Sequence, residues 1–371
     1  MKFLNDQRRM YFLSACLLAL TVLLCCTWRF WRGDGPEAAQ PDLTAAPSQI
    51  AAVTPSLQPT LTPGPLATVG AETAGVPTIV YYQDNAGYLV PVMKQIEAQE
   101  GIAKATLSLM VSSPRNDMEA ARLGLRTVLP EGTGIDLDIA GGTARVNLTG
   151  AVDSLPDAAA ESNMVNAVVQ TLTEFDTVNA VRFLINGREV ETLAHGTPVS
   201  GPFARGQLNL ESVSAGFPVE DAKTVTLYFA GETGSLIVPV TRMVYGEPDI
   251  NTAVVELLKG PSAMSPLESA LPAGCGLISV DLDKSGKAVI NLTDEFMNLI
   301  DASDGGRQAL RALALTCGQF PGVTGVEVLV NGAPYDAAEA TVALPRFVND
   351  AEAVADQFLQ AQARALFGDD E

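Results

Sequence analysis

The chain has 371 residues, 47% hydrophobic and 18% charged, so it can bury sizeable cores and is not disordered throughout. Its 23 Lys and Arg stand against 43 Asp and Glu, a formal net charge of −20 that repels phosphate backbones and excludes general nucleic-acid binding. A lone histidine, His195, excludes histidine-rich metal clusters and leaves little material for a histidine-based triad.

The first element is a membrane segment. Met10 to Trp28 carries no charge, and its 19 residues as a helix span about 28 Å, close to the hydrocarbon thickness of a bilayer. Lys2, Arg8 and Arg9 precede it, Arg29 and Arg32 follow, and Trp28, Phe30 and Trp31 mark an aromatic edge. The expectation is a cell-membrane protein with a single uncleaved anchor, a cytoplasmic N-terminus and extracytoplasmic C-terminal domains. Lipidation is the competing expectation. Leu13-Ser14-Ala15-Cys16 has the form of a lipoprotein cleavage box, but only Met10 to Ala15 precedes it as apolar sequence, while Cys25 and Cys26 lack a small residue before them. The anchor and its tip occupy residues 1–32. Residues 33–76, rich in Pro, Ala and Thr, cannot bury enough apolar surface to fold and read as a spacer.

Beyond the spacer the chain repeats itself. Val80-Tyr81-Tyr82 recurs as Leu227-Tyr228-Phe229, and Leu89-Val90-Pro91-Val92 as Ile237-Val238-Pro239-Val240. Leu129-Pro130-Glu131-Gly132 recurs as Leu271-Pro272-Ala273-Gly274, Val146-Asn147-Leu148-Thr149 as Ile290-Asn291-Leu292-Thr293, and Leu184-Ile185-Asn186-Gly187 as Leu329-Val330-Asn331-Gly332. The order is kept throughout, so two copies of one unit are expected: residues 77–200 and 222–345, joined by a bridge over 201–221 and followed by a C-terminal helix over 346–371.

Each copy reads as ββ-α-ββ-α-β. In the second, Thr224 to Ala230 and Leu236 to Val244 flank a Gly-Glu-Thr-Gly turn. A helix over Asp249 to Lys259 follows, with a stripe of Ile250, Ala253, Val254, Leu257 and Leu258, and stops at Gly260-Pro261. The matching stripe of the first copy is Ile102, Ala105, Thr106, Leu109 and Met110. Leu277 to Asp283 and Ala288 to Leu292 form a second hairpin; Ser303 suits the N-cap of a helix with Leu310, Leu313, Ala314 and Cys317 buried; Val326 to Val330 closes the unit at an Asn-Gly turn. Val165, Val168, Val169 and Leu172 answer in the first copy. One sheet covered by the helices on one face buries these stripes, so the expected class is α+β, two tandem two-layer α/β sandwiches.

The candidates for chemistry are few. Asp136 and Asp138, and Asp281 and Asp283, alternate with apolar residues; such pairs can move protons or hold a cation, but period-two alternation is also what a solvated strand face gives, and that reading is preferred. Asn147-Leu148-Thr149 and Asn291-Leu292-Thr293 fit a glycosylation acceptor, yet their recurrence points to a structural role at a strand end. His195 falls outside the repeated core. Cys275 and Cys317 read as small buried hydrophobes. No catalytic, metal or cofactor residue is assigned, and an enzyme is not expected.

The tyrosine-bearing first strand, the Val-Pro-Val strand, the helix closing at Gly260-Pro261, Leu-Pro-x-Gly, Val-Asn-Leu-Thr and the Phe320-Pro321-Gly322-Val323 and Leu329-Val330-Asn331-Gly332 finish together resemble the GerMN domain family. The first copy departs from the pattern with Ser113-Pro114 in place of Gly-Pro and Phe175-Asp176-Thr177-Val178 in place of Phe-Pro-Gly-Val. The resemblance implies a fold similar to ring-building motifs and a non-enzymatic envelope protein of sporulation and germination, with protein partners in a channel complex between mother cell and forespore. Family members are typically lipoproteins, and this sequence lacks a clean cleavage box. A binding module for cell-wall glycan or a regulatory ligand is the alternative expectation.

Overall fold

The computed structural model describes residues 75–211, 222–232, 234–299, 305–335 and 341–354, all within a single compact unit. The expected anchor at Met10–Trp28, the spacer up to Ala74 and the N-cap at Ser303 lie outside the described residues; the spacer's last residue, Val76, already belongs to the first strand, and of the terminal helix expected over 346–371, residues 346–350 are not helical, 351–354 are, and the rest lie outside the described residues. Among those described, no helix is long and apolar enough to cross a membrane.

The first repeat opens with β1 (Val76–Gln83) and β2 (Leu89–Ile96), an antiparallel hairpin in register from Val76 opposite Ile96 to Gln83 opposite Leu89. Its sequence does not alternate because neither face is wet: Val80, Tyr81 and Tyr82 are all buried, as are Leu89, Val90, Val92 and Met93. Helix α1 (Ile102–Ser108) follows, then α2 (Pro114–Ala121). The periodicity predicted one helix ending at Ser113-Pro114. Instead α1 ends early, burying Ala103, Thr106 and Leu107, and Ala105 and Leu109 of the expected stripe stay half-exposed. Ser113-Pro114 starts a helix rather than stopping one: the serine hydroxyl accepts from Asn116 N at 3.2 Å, and proline occupies the first turn, where no amide is needed.

A three-stranded sheet follows, in the order β3 (Gly134–Ala140), β4 (Thr143–Thr149), β5 (Ala180–Ile185). β3 and β4 are antiparallel; β4 and β5 are parallel, joined by the crossover helix α3 (Ala158–Leu172). Strict alternation here, with Ala144, Val146 and Leu148 inward, marks a sheet covered on one face. The stripe Val165, Val168, Val169 and Leu172 is buried as its spacing predicted.

The second repeat retraces this path: β6 (Ala222–Ala230), β7 (Ile237–Tyr245), α4 (Ile250–Leu258), β8 (Leu277–Leu282), β9 (Lys287–Leu292), α5 (Gly305–Cys317) and β10 (Gly325–Val330). Asp249 caps α4 by accepting from Thr252 N at 2.7 Å, and Gly260, at φ 76°, takes the left-handed conformation that ends it. β11 (Ala333–Pro334) and β12 (Thr341–Ala343) both pair with β10. The β8–β9 turn requires its glycine: at Gly286 (φ 87°) a Cβ would sit 2.6 Å from Gly322 O.

Each repeat therefore has mixed α/β content, but its strands do not form the single sheet that was expected. The hairpin is separate from the second sheet, which has three strands in the first repeat and five in the second, where β11 and β12 join β8, β9 and β10. The reason lies at the hairpin's two outer edges. On one, Tyr81 N donates to Thr171 Oγ1 of α3 at 3.2 Å, so a helix side chain takes the place of a strand. The other edge carries Pro91 (Pro239 in β7), which has no amide for a ladder. That edge faces the other repeat.

Candidate functional site

The residues singled out from sequence do not converge. Asp136 and Asp138 lie exposed on edge strand β3, opposite Asn147 and Arg145. Asp281 is exposed on edge strand β8. Asp283 departs from the solvated-strand expectation. It sits in the turn, where its carboxylate accepts from Ser285 N at 2.7 Å and Lys287 N at 2.9 Å, and these bonds hold it below the usual carboxylate range. Among the described residues no group of three or more His, Cys, Asp or Glu gathers in metal-binding geometry.

The two recurring asparagines serve strand ends. Asn147 Oδ1 accepts from Gly187 N at 2.8 Å and Asn291 Oδ1 from Gly332 N at 2.9 Å, each fixing an Asn-Gly turn on the neighbouring strand. His195 is exposed, with its ring nitrogen Nε2 2.7 Å from Leu155 O. Its backbone matters more: His195 N and Thr197 N donate to the two oxygens of Glu161, at 2.7 and 3.2 Å. Burial alone would raise the Glu161 carboxyl, but these N–H donors outweigh it and hold it below its ordinary value. Cys275 and Cys317 are buried free thiols. Burial, aided by Glu295, pushes Cys275 up to about 11, and burial pushes Cys317 up to about 12, so both stay protonated and unreactive.

What the sequence did not announce is the joint between repeats. After each repeat the chain runs as a strap along the other repeat's hairpin, and one asparagine in each strap bridges β2 and β7. Asn209 accepts from Leu89 N at 2.8 Å and donates to Leu89 O at 2.8 Å and Pro239 O at 2.7 Å. Asn349 accepts from Ile237 N at 2.8 Å and donates to Ile237 O at 2.8 Å and Pro91 O at 2.9 Å. The two sets are the same bonds with the repeats exchanged. A backbone bond extends each clamp: Met93 N donates to Asn349 O at 2.8 Å, and Thr241 N to Asn209 O at 3.3 Å. Glu211, two residues beyond Asn209, makes a bidentate pair with Arg242 at 2.6 and 2.9 Å, and Arg242 also donates to Gly260 O at the end of α4. The bridge over 201–221 shows no periodicity, and its Asn209 and Arg205 find partners at Leu89 and Tyr81, 120 and 124 positions away.

Beside the clamps the two repeats enclose a cleft of about 620 Å³, floored by Pro91 and Pro239. On the side of the first repeat, Tyr81, Glu174 and Arg205 form a closed triad: Tyr81 Oη donates to Glu174 at 2.8 Å, and Arg205 donates to Tyr81 Oη at 2.7 Å and to Glu174 at 2.5 Å. Burial first, then the Glu174 charge, drives the Tyr81 phenol far above its usual range. The second repeat offers Tyr228 and Arg346 to the same cleft.

Two antiparallel-hairpin α/β repeats, related by exchange and locked through reciprocal straps, define a tandem-domain platform. Comparison with known proteins agrees. The Germane family, described as sporulation and spore germination, matches residues 79–191 and 226–336, more than half of the chain, and the chain belongs to that family. The Spore germination protein GerM of Bacillus subtilis (strain 168) is 29% identical over 262 residues, 68% of this chain and 71% of that protein. The solved structure of the tandem GerMN domains of the sporulation protein GerM from Bacillus subtilis superposes with a TM-score of 0.61 at 28% identity, covering 75% of this chain and 99% of that one.

Proposed function

We propose that this protein is a non-enzymatic scaffold of the spore-forming cell's envelope, tethered by its N-terminal segment with the repeats outside the cytoplasm. There it assists assembly of a ring or channel complex in the intermembrane space. The observation that carries the reading is the pair of reciprocal clamps: they hold two modules at one fixed separation and orientation, which is what a docking platform requires. Similarity to a spore germination protein supports the setting. The test is a cross-linked pull-down of tagged full-length protein from sporulating membranes, beside a form lacking residues 75–371. Recovery of defined envelope proteins with the full chain alone supports the scaffold; identical recovery with both forms, or none with either, overturns it.

A further inference from the structure

The cleft between the repeats is asymmetric where its surroundings are symmetric. Position 174 of the first repeat corresponds to 319 of the second, and there glutamate has become glutamine. Gln319 does not face a cation; it turns to the backbone of β6, accepting from Thr226 N and donating to Thr226 O, each at 2.9 Å. The second repeat therefore keeps the tyrosine, Tyr228, and has an arginine in its strap, Arg346, but has lost the carboxylate that neutralises Arg205 in the first. Arg346 is exposed, rests over the Phe347 ring at 5.0 Å, and makes no ion pair among the described residues. Tyr228 Oη, in the half-buried wall of the cleft, makes no hydrogen bond among the described residues.

We propose that this cleft binds a small organic carboxylate carrying an apolar body, which goes beyond the scaffold reading and does not depend on it. Arg346 presents a planar fork that matches a carboxylate bidentately, and its charge is the cleft's uncompensated one, because Glu174 already answers Arg205. Tyr228 supplies the hydroxyl donor. Burial first raises its phenol, with nearby Arg205 opposing and Glu174 reinforcing the shift, so it stays neutral and keeps its proton for donation. Pro91, Met93, Pro239 and Val348 offer an apolar body its contacts, beside polar lining groups that include Gln170, Thr224 and Thr226. A cleft of about 620 Å³ lies within the size range of small-ligand sites and is far larger than one water molecule needs. One carboxylate against one free guanidinium balances; a phosphate dianion would bring a second negative charge beside Glu174.

Isothermal titration of the full-length chain in neutral-lipid nanodiscs tests this, with four probes. Hippurate represents a free small acid, N-acetyl-alanyl-alanine a peptide's terminal carboxylate, hippuramide the same body without the charge, and inorganic phosphate a different anion. At least one acid binds in the sub-millimolar range, and the tighter of the two identifies the source of the natural ligand. Hippuramide and phosphate bind at least about tenfold more weakly. Arg346→Gln loses about tenfold in affinity for the acid with an unchanged melting temperature, Arg346→Lys loses less, and Tyr228→Phe loses about threefold. Absence of binding by both acids overturns the proposal. So does hippuramide or phosphate binding as tightly as the acids, or full affinity in both Arg346→Gln and Tyr228→Phe.

Discussion

Asn349→Ala is the sharpest test of the joint. The side chain is 3% exposed and serves three backbone groups: Ile237 N, Ile237 O and, across the repeats, Pro91 O. At about 1 kcal/mol net per hydrogen bond the loss is about 3 kcal/mol, and the desolvated groups left behind raise it to about 3–5 kcal/mol. For a unit of this size roughly 2 °C is lost per kcal/mol, so the melting temperature falls by about 6–10 °C. Hydrogen exchange on the full-length protein in nanodiscs locates the effect. The amides of Ile237 and Met93, which donate to Asn349, lose protection; the amide of Leu89, held by Asn209, keeps it. Asn209 is half-exposed, so Asn209→Ala costs less, about 1–2 kcal/mol, because water can replace some of its bonds. The double variant is non-additive, since both residues close one joint. A melting temperature within about 1 °C of the parent, with Ile237 still protected, would refute the clamp as an energetic link and reduce it to a contact.

Three other outcomes follow from named contacts. Glu161→Gln keeps an oxygen for one of the two backbone amides but sets an NH2 donor against the other, and costs about 1–3 kcal/mol at neutral pH; because the folded carboxyl is held below its unfolded value of about 4.3, this stability is complete above that pH and fades as pH falls through the folded value, so denaturant titrations of parent and variant converge in acid. Asp281→Asn leaves thermal stability unchanged, Asp283→Asn keeps an acceptor for the turn and changes it little, and Asp283→Ala lowers it, so a folded Asp281/Asp283 double Asn variant that fails to support sporulation would restore a ligand role for the pair. Leu313→Asp places an unpaired charge in a fully buried position of α5 and costs several kcal/mol, read as loss of the cooperative transition of the unit.

The sequence carried the elements because local chemistry decides them. Spacing of Val165, Val168, Val169 and Leu172 gave the buried face of α3, the segment read as a helix from Asp249 begins at the residue that caps α4, and Asn331-Gly332, both at positive φ, gave the turn after β10. Two departures have local causes of their own. Ser113 reads equally well as a stop for α1 and a cap for α2, and only Asn116 N at its hydroxyl distinguishes them. Asp283 shares the period of a strand, yet its oxygens reach Ser285 and Lys287 once the chain turns at Gly286. The joint and cleft stayed hidden for a different reason. Asn209 and Asn349 sit in segments with no periodicity, and their partners lie 120 and 258 positions away at the longest reach along the chain. The repeat alignment did hold one usable signal, the change from Glu174 to Gln319 beside the matched pair Phe175 and Phe320, but it means nothing until Arg205 and Arg346 are brought to the same cleft.

Duplication explains why the asymmetry should gather there. The asparagine bonds that lock the joint come in matched pairs, and loss of either clamp exposes the edge of both hairpins, so neither copy can drift at Asn209, Pro91, Pro239 or Asn349 without destabilising the whole unit. Groups outside the joint bear no such constraint. Thr171 Oγ1 binds Tyr81 N in the first repeat, whereas its counterpart Thr316 Oγ1 is buried without a partner in the second, and Gln319 has been recruited to the β6 backbone nearby. The second copy has thus given up internal satisfaction, an orphaned hydroxyl worth about 1–3 kcal/mol and a missing counter-charge for its arginine, while retaining every bond of the joint. In the cleft itself Tyr81 and Arg205 are tied to Glu174, while Tyr228 and Arg346 are not tied to a carboxylate, and on the proposal above recognition falls to the second repeat's side. Restoring the closed triad by Gln319→Glu should accordingly leave the joint intact, lower affinity for a carboxylate at Arg346 by adding a competing charge, and leave the exchange protection of Ile237 and Leu89 unchanged; tighter carboxylate binding in that variant would invert the assignment.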